Sequence, residues 1–378
     1  MTRLMYLTAD RGVPVLGHKG ASVHVRELCT AFAEAGVEVH IASPRIDAEG
    51  DQLSAPAKLH HVAPVVVEDH IARTLPGAVQ DQARSVAALC TRLGVDAIYE
   101  RFSLFTAAGV RTAAQLGLRH VLEVNAPLRQ EAARYRTLPY PELAASLEAE
   151  VMAETDRVLA VSKALARVLG ADGVDASRIE VVPNGVASER FAPARRDPER
   201  FVVGFAGSMK PWHGIETLVD AVLAVPNVHL EVVGHGPQEA LLDRLPAKQV
   251  TRFGTLPHAR VMELMASWDV GLAPYAPVEG FWFSPMKVLE YMAAGACPVA
   301  SDLGDAAELL GQGRRGVLIP PADAEALAAA LARLAADRER AWVLGADARA
   351  WVAAHRPWSA NASRALALLR RQEIPQRA

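Results

Sequence analysis

FVVGFAGSMKPWHGIETLVDAVLAVPNVHLEVVGHG, residues 201–236, decides the fold. FVVGFA is a short apolar run stopped by glycine, as a buried strand is. GIETLVDAVLAV then spaces its apolar residues at helical period, and VHLEVVGHG is a second apolar run closed by glycines. Strand, helix and strand in so short a segment make a βαβ unit, because parallel strands need a crossover and a helix supplies it.

The same grammar extends both ways. Upstream, LMYLTA, VEVHIAS, VDAIYER, RHVLEVN and RVLAVS read as strands, and ASVHVRELCTAFAEAG as an amphipathic helix stopped by Gly36. IEVVPNGV ends that run, and ASERFAPARRDPER has linker composition, which places a boundary near residues 185–198. Downstream, VTRFGTL, VGLAPY, CPVASD and GVLIPP supply further strands, and VVGHGPQEALL reads as strand, glycine turn and helix. Residues 322–354 read as two helices broken near Gly345, and a last helix begins at the Trp358–Ser359 turn. The expectation is an α/β protein of two doubly wound units, with ligands beyond the carboxyl ends of the strands.

Composition narrows the function classes. The chain has 378 residues, 51% of them hydrophobic, enough for two domains with large cores. A net charge of −3 argues against a dedicated nucleic-acid binder. Cys29, Cys90 and Cys297 lack metal-ligand spacing and read as buried thiols in a reducing compartment. No run approaches the ~18 apolar residues of a membrane span. The apolar N-terminal run is too short for a signal peptide. A cytoplasmic location is expected, with membrane contact allowed but not favoured.

Several loops have the composition of a phosphate site. Residues Gly12–Val25 nearly match a P-loop, but His18 stands where lysine is required and Lys19–Gly20 follows, which leaves an anion site at a helix N-terminus or a tight glycine turn. In GFAGSMKPWHG, Gly207 allows close backbone approach and Lys210 is a flexible cation, so a pyrophosphate would meet backbone donors, Lys210 and His213. Lys210 also fits a solvated surface lysine, and His213 a packing residue. The loops holding Gly234 and Phe253, Gly254 and Leu256 can clamp a flat base through backbone contacts. In EGFWFSPMKVLEYMAAG, Glu279 and Glu290 lie eleven positions apart with Pro285 between them. Proline suits a first helical turn, so Ser284 is expected to cap, Pro285 to open the helix and Gly295 to follow its end. Glu290 then leans toward the helix start, where it can meet sugar hydroxyls, and Lys287 lies in the first turn.

As a set, VSKAL, VVPNGV, GFAGSMKPWHG, VVGHGP, RFGTL, WDVGLAPY, FSPMKVLEYMAAGACPVASD and RGVLIPPADAEALAAAL resemble the retaining nucleotide-sugar glycosyltransferases of family four. The resemblance covers most of residues 158–331 and, more loosely, the opening GHKGASVHVRELCTAFAEAGVEVHIAS and YERFS with VLEVNAPL. It implies the GT-B fold: two facing Rossmann-like domains with parallel sheets and an interdomain cleft. Residues 1–185 would bind acceptor, residues 186–355 the donor, and residues 356–378 would form a helix crossing back to the N-terminal domain. It implies that Glu290 binds the ribose. The family's first glutamate falls on Trp282; Glu279 is the alternative, or backbone groups of Phe283, Ser284, Pro285 and Met286 read the sugar. The family's diphosphate-gripping arginine and lysine fall on Ser208 and His213, which leaves Lys210 as the substitute and Lys287 as second. A histidine of the N-terminal active site falls near Asn125.

The reaction implied is retaining transfer of a hexose from a UDP- or GDP-sugar. No cofactor and no metal is expected, there being no DxD triplet or His/Cys cluster. Lys210, His213 and Asn125 are the expected catalytic groups. Lys19, Gly20, Arg101, Asn125, Arg129 and Glu131 are acceptor candidates, although RQEAARYR also fits a solvated helix face. The acceptor would be a sugar, aminocyclitol, glycan or lipid. An epimerase of the same fold and a non-catalytic nucleotide-sugar-binding regulator are the rivals; the absent GxGxxG disfavours a nicotinamide oxidoreductase.

Overall fold

The computed structural model describes residues 2–46, 53, 55–277, 282 and 284–370. The Glu279 and Phe283 candidates lie outside the described residues. The chain divides into two units, one of Met1–Gly17, Ala21–Pro183 and Ser359–Ala378, the other of His18–Gly20 and Asn184–Trp358. The helix Trp358–Leu369 thus counts, from Ser359 on, with the first unit.

In the first unit the strands are β1 (Arg3–Thr8), β2 (Glu38–Ser43), β3 (Ala57–His61), β4 (Ala97–Arg101), β5 (Arg119–Val124), β6 (Arg157–Ala160) and β7 (Ile179–Val181). They form one parallel sheet in the order β3-β2-β1-β4-β5-β6-β7. The helices are α1 (Gly20–Glu34), α2 (Leu75–Leu93), α3 (Ala108–Leu116), α4 (Leu128–Tyr135), α5 (Pro141–Glu154) and α6 (Lys163–Ala171). Strand period sorts the faces. Met5 and Leu7 join Ile98 and residues of α2 and α3 in one cluster. Tyr6 stacks on Tyr99 at 5.4 Å, and Phe32 of α1 meets Tyr99 edge-on.

In the second unit β8 (Phe201–Ala206), β9 (Val228–Val233), β10 (Val250–Gly254), β11 (Val270–Ala273), β12 (Cys297–Ser301) and β13 (Val317–Ile319) make a parallel sheet in the order β10-β9-β8-β11-β12-β13. The helices are α7 (Ile215–Ala224), α8 (His258–Met265), α9 (Met286–Ala294), α10 (Ala306–Leu309), α11 (Ala324–Ala336) and α12 (Arg338–His355); the helix Trp358–Leu369 is α13. The sheet is covered on both sides, as a parallel sheet must be. Phe201, Val203 and Phe205 of β8 pack with α7 and α11. Val202 and Ala206 pack with α8, α9 and α12.

Each strand order reverses at one place, between β1 and β4 and between β8 and β11, and such switch points open a crevice at the carboxyl ends. In the second unit the opening is marked. β8 and β11 pair only through Val203–Val270 and Gly204–Gly271. Above that point Tyr291 of α9 fills the gap: its hydroxyl accepts from the Ala206 N–H at 3.1 Å and donates to the Leu272 carbonyl at 3.2 Å. A Cβ on Gly271 would lie 2.3 Å from the Tyr291 ring, and one on Gly204 would lie 1.9 Å from Trp268. The two glycines therefore let both aromatics sit against the sheet, and Tyr291 fixes α9 over the switch point.

Three expectations need correction. Ser284 does not cap α9; Pro285 is the N-cap residue, and the Ser284 hydroxyl accepts from the Asn184 N–H at 3.2 Å. The C-terminal helices break at Asp337, not Gly345: the Asp337 carboxylate caps α12, while Gly345 lies inside α12 where a Cβ would strike the Gly295 carbonyl. After β9 the chain forms a 3-10 turn over Glu239–Arg244 instead of an α-helix. Strand β3 carries no alternating apolar pattern and escaped the sequence reading.

Tyr291→Phe removes the group that bridges Ala206 and Leu272. The buried Ala206 N–H loses its partner, so we expect a loss of about 1–3 kcal/mol in urea unfolding followed by tryptophan fluorescence.

Candidate functional site

The loops after β8, β9 and β10 are stitched to one another. The Gly207 N–H donates to the Val233 carbonyl at 3.0 Å, and the Gly234 N–H to the Gly254 carbonyl at 2.7 Å. These two donors therefore hold the crevice wall rather than face a ligand. Phe253 and Leu256 are half-buried and pack against the core under α8 and α9.

Lys287, in the first turn of α9, reaches into this wall. Its Nζ lies 4.2 Å from the centre of the Phe205 ring and 5.3 Å from that of Tyr275. It is buried with no hydrogen-bond partner among the described residues. Gly207 has φ +151, and a Cβ there would come within 2.9 Å of Nζ, so the glycine both turns the chain and leaves room for the ammonium. Burial pushes the Lys287 ammonium down to about 7, against the charge of Glu290, which favours protonation. A buried cation without a hydrogen-bond partner is costly, and a group of this kind in a crevice is a candidate for a functional site.

His213 lines the same wall. Its Nδ1 lies 2.9 Å from the Ser208 carbonyl; a carbonyl only accepts, so Nδ1 carries the proton. The ring meets Phe205 and Tyr275 edge-on. Burial and then the Lys287 charge hold this imidazole down to about 2, so it is neutral. It is a wall residue, not a second cation. Lys210 and Ser208 are exposed on the turn outside.

Glu290 lies one turn further along α9, half-buried, with Oε1 2.7 Å from Nε2 of His258 at the start of α8. Ser284 and Pro285 lead into α9, and Met286 opens it, its N–H donating to the Ser284 carbonyl at 2.9 Å. Thus Lys287, Glu290, Ser284, Pro285 and Met286 share one helix start beside Gly207.

In the first unit the candidates gather round a residue that sequence reading missed. Glu123, on β5, is buried and receives His24 Nε2 at 2.9 Å, Tyr99 Oη at 2.5 Å, Arg101 Nη1 at 3.1 Å and the Asn125 amide. Burial pushes its carboxyl up, but the His24 and Arg101 charges and the donated hydrogen bonds outweigh it and hold it at about 2. Arg101 and Asn125 are thereby fixed at the carboxyl ends of β4 and β5. A glutamate inside the apolar strand RHVLEV was the available signal for this hub.

The other acceptor candidates divide. Arg129 is held in ion pairs with Glu148 at 3.3 Å and Asp172 at 3.9 Å, a role in joining α4 to its neighbours. Glu131 is raised by burial and lies 3.4 Å from Arg136. Lys19 and Gly20 are exposed at the start of α1. The glycine loop before them is tied to that helix from below, the buried Arg26 donating to the Val15 carbonyl at 3.0 Å and the Gly17 carbonyl at 2.6 Å.

Two family models match the chain. Residues 18–190 match the family model described as glycosyltransferase family 4, and residues 200–337 the model described as glycosyl transferases group 1. The D-inositol 3-phosphate glycosyltransferase of Pseudarthrobacter chlorophenolicus is 27% identical over 336 residues, 79% of this chain and 78% of the relative. The MMP alpha-(1->4)-mannosyltransferase of Mycolicibacterium hassiacum is 26% identical over 357 residues, 83% of this chain and 85% of the relative. A sucrose-phosphate synthase structure from Thermosynechococcus elongatus superposes with TM-score 0.76 at 22% identity, over 97% of this chain and 98% of that one. At that identity the likeness concerns the fold, which is GT-B. No helix among the described residues is long and apolar enough to cross a membrane.

The state of Lys287 has a measurable consequence. Its folded pKa lies below its ordinary value of 10.5, so between about 7 and 10.5 the unfolded chain binds the extra proton. Stability from this group therefore rises with pH across that window and is lowest at and below its lower end. Lys287→Met should stabilise the ligand-free protein by about 1–4 kcal/mol near neutral pH. The gain should shrink toward alkaline pH in thermal unfolding; a gain independent of pH would contradict it.

Proposed function

The chain belongs to the family-four glycosyltransferases, and from that premise we propose that it transfers a hexose, with retention, from a nucleoside diphosphate sugar to an acceptor hydroxyl. The observation that carries this reading is Lys287, a buried ammonium without a hydrogen-bond partner among the described residues, at the start of α9 and beside Gly207. A diphosphate supplies what that group lacks. The helix N-terminus adds about half a positive charge at the same place. Glu290, one turn on, takes the ribose hydroxyls, and the loops after β9 and β10 take the base through backbone groups. Lys287 thus replaces Lys210 as the first choice for the cation.

In the reaction the bond between the anomeric carbon and the β-phosphate oxygen breaks, and its electron pair stays with that oxygen. The acceptor oxygen bonds to the anomeric carbon on the same face, and its proton passes to the departing phosphate. Charge therefore grows on the phosphate as the transition state forms. Lys287 and the α9 N-terminus stabilise it, a preorganised arrangement that costs no reorganisation during the step. The protein's own groups carry this role in the proposal, with no metal ion. Neutral His213 shapes the wall. Arg101 and Asn125 of the first unit, fixed by Glu123, hold the acceptor, and Lys19, just before α1, is a further acceptor contact. Relatives named for inositol phosphate and mannosyl transfer favour a polyol or sugar acceptor.

The reading is tested by offering UDP- and GDP-hexoses in turn, following nucleotide release, and assigning the product anomer by NMR. Lys287→Ala should lower kcat by about 10²–10³, the loss expected for one charge-stabilising donor. Lys210→Ala should lower it less than about tenfold. Glu290→Ala should weaken nucleoside diphosphate binding at least tenfold, about 1.4 kcal/mol. Equal losses for the two lysines would contradict the assignment.

A further inference from the structure

A ribose-binding glutamate needs its carboxylate held still, and α9 does not do this alone, since a glutamate side chain turns about three bonds. Glu290 lies 15% exposed, and His258, 12% exposed, puts Nε2 at 2.7 Å from its Oε1. A carboxylate accepts only, so the His258 ring nitrogen is the donor. Among the described residues the Glu290 carboxylate makes no other hydrogen bond, which leaves Oε2 uncommitted. His258 is the first residue of α8 and directly follows the loop that carries Phe253, Gly254 and Leu256. The bond therefore joins the loop after β10 to the helix that carries Glu290.

We propose that His258 is a positioning residue for the nucleotide: it fixes the Glu290 carboxylate so that Oε2 faces the ribose hydroxyls, an inference resting on the donor site proposed above. His258 itself touches no reacting atom. Its loss acts through Glu290, and only on ligands that carry ribose hydroxyls.

The test measures, by calorimetry on the full chain, binding of UDP and GDP and of their 2′,3′-dideoxy counterparts. His258→Ala should weaken the better-bound ribonucleotide about fivefold or more and its dideoxy counterpart less than about twofold. His258→Gln, whose amide N–H can reach the same carboxylate, should recover most of the loss. In a Glu290→Ala background His258→Ala should add nothing further. Equal losses for both sugars, or an effect that persists without Glu290, would assign His258 a merely structural role and overturn the proposal. If Glu290→Ala weakens binding and His258→Ala does not, the positioning role alone fails. If Glu290→Ala changes nothing, or neither nucleotide binds, the donor reading fails and takes this inference with it. Thermal unfolding checks each variant, and His258→Leu carries the test should His258→Ala not fold.

Discussion

A buried ammonium over two aromatic rings, with no hydrogen-bond partner among the described residues, sets the terms for the second unit. Lys287 is unfavourable where it stands, because burial strips its water and the described residues give back only ring contacts and the charge of Glu290. Such a group persists only if the surrounding packing leaves it no alternative. Here the packing is supplied by Gly207, Phe205 and Tyr275 on one side and by the first turn of α9 on the other. In the proposed reading, the donor's diphosphate is the anion that completes this state.

That state depends on how α9 is seated. A parallel sheet whose order reverses between β8 and β11 must open there, and an opened ladder leaves backbone groups to satisfy. Tyr291 satisfies them from α9, and Gly204 and Gly271 make the space for Tyr291 and Trp268. The residue that closes the sheet thus lies on the same helix as Lys287 and Glu290. Fold and site share one helix, so the direction of the cation is set by core packing. The first unit uses a different device at its own switch point: a buried carboxylate, Glu123, gathers Arg101, Asn125, His24 and Tyr99.

Most of the architecture was legible because buried parallel strands are continuous apolar runs, and glycines punctuate them. The strand missed, β3, is a sheet edge of Ala57, Lys58, Leu59 and two histidines with no period to find. Helix ends were less legible. Ser284 before Pro285 has the look of a cap, but its hydroxyl is claimed by Asn184, a hundred residues away in sequence. Among site residues, Glu290 could be placed from its helix alone. Lys287 could not be ranked above Lys210, because sequence spacing does not say which lysine is buried; only the fold brings Lys287 against Gly207 while leaving Lys210 exposed. Glu123 and His258 depend on partners distant in the chain; only the first has a local signal, a carboxylate in an otherwise apolar strand.

The central claim is that Lys287 is the group that meets the donor's diphosphate, and it implies a proton. Free Lys287 sits near 7, and an adjacent diphosphate must raise it toward the ordinary lysine range. Calorimetric titration with UDP and GDP at about pH 8, in two buffers of different ionisation enthalpy, counts that proton directly. The expected result is uptake of most of one proton on binding to the native protein and almost none with Lys287→Met. Binding to the native protein with no dependence on the buffer would contradict the account.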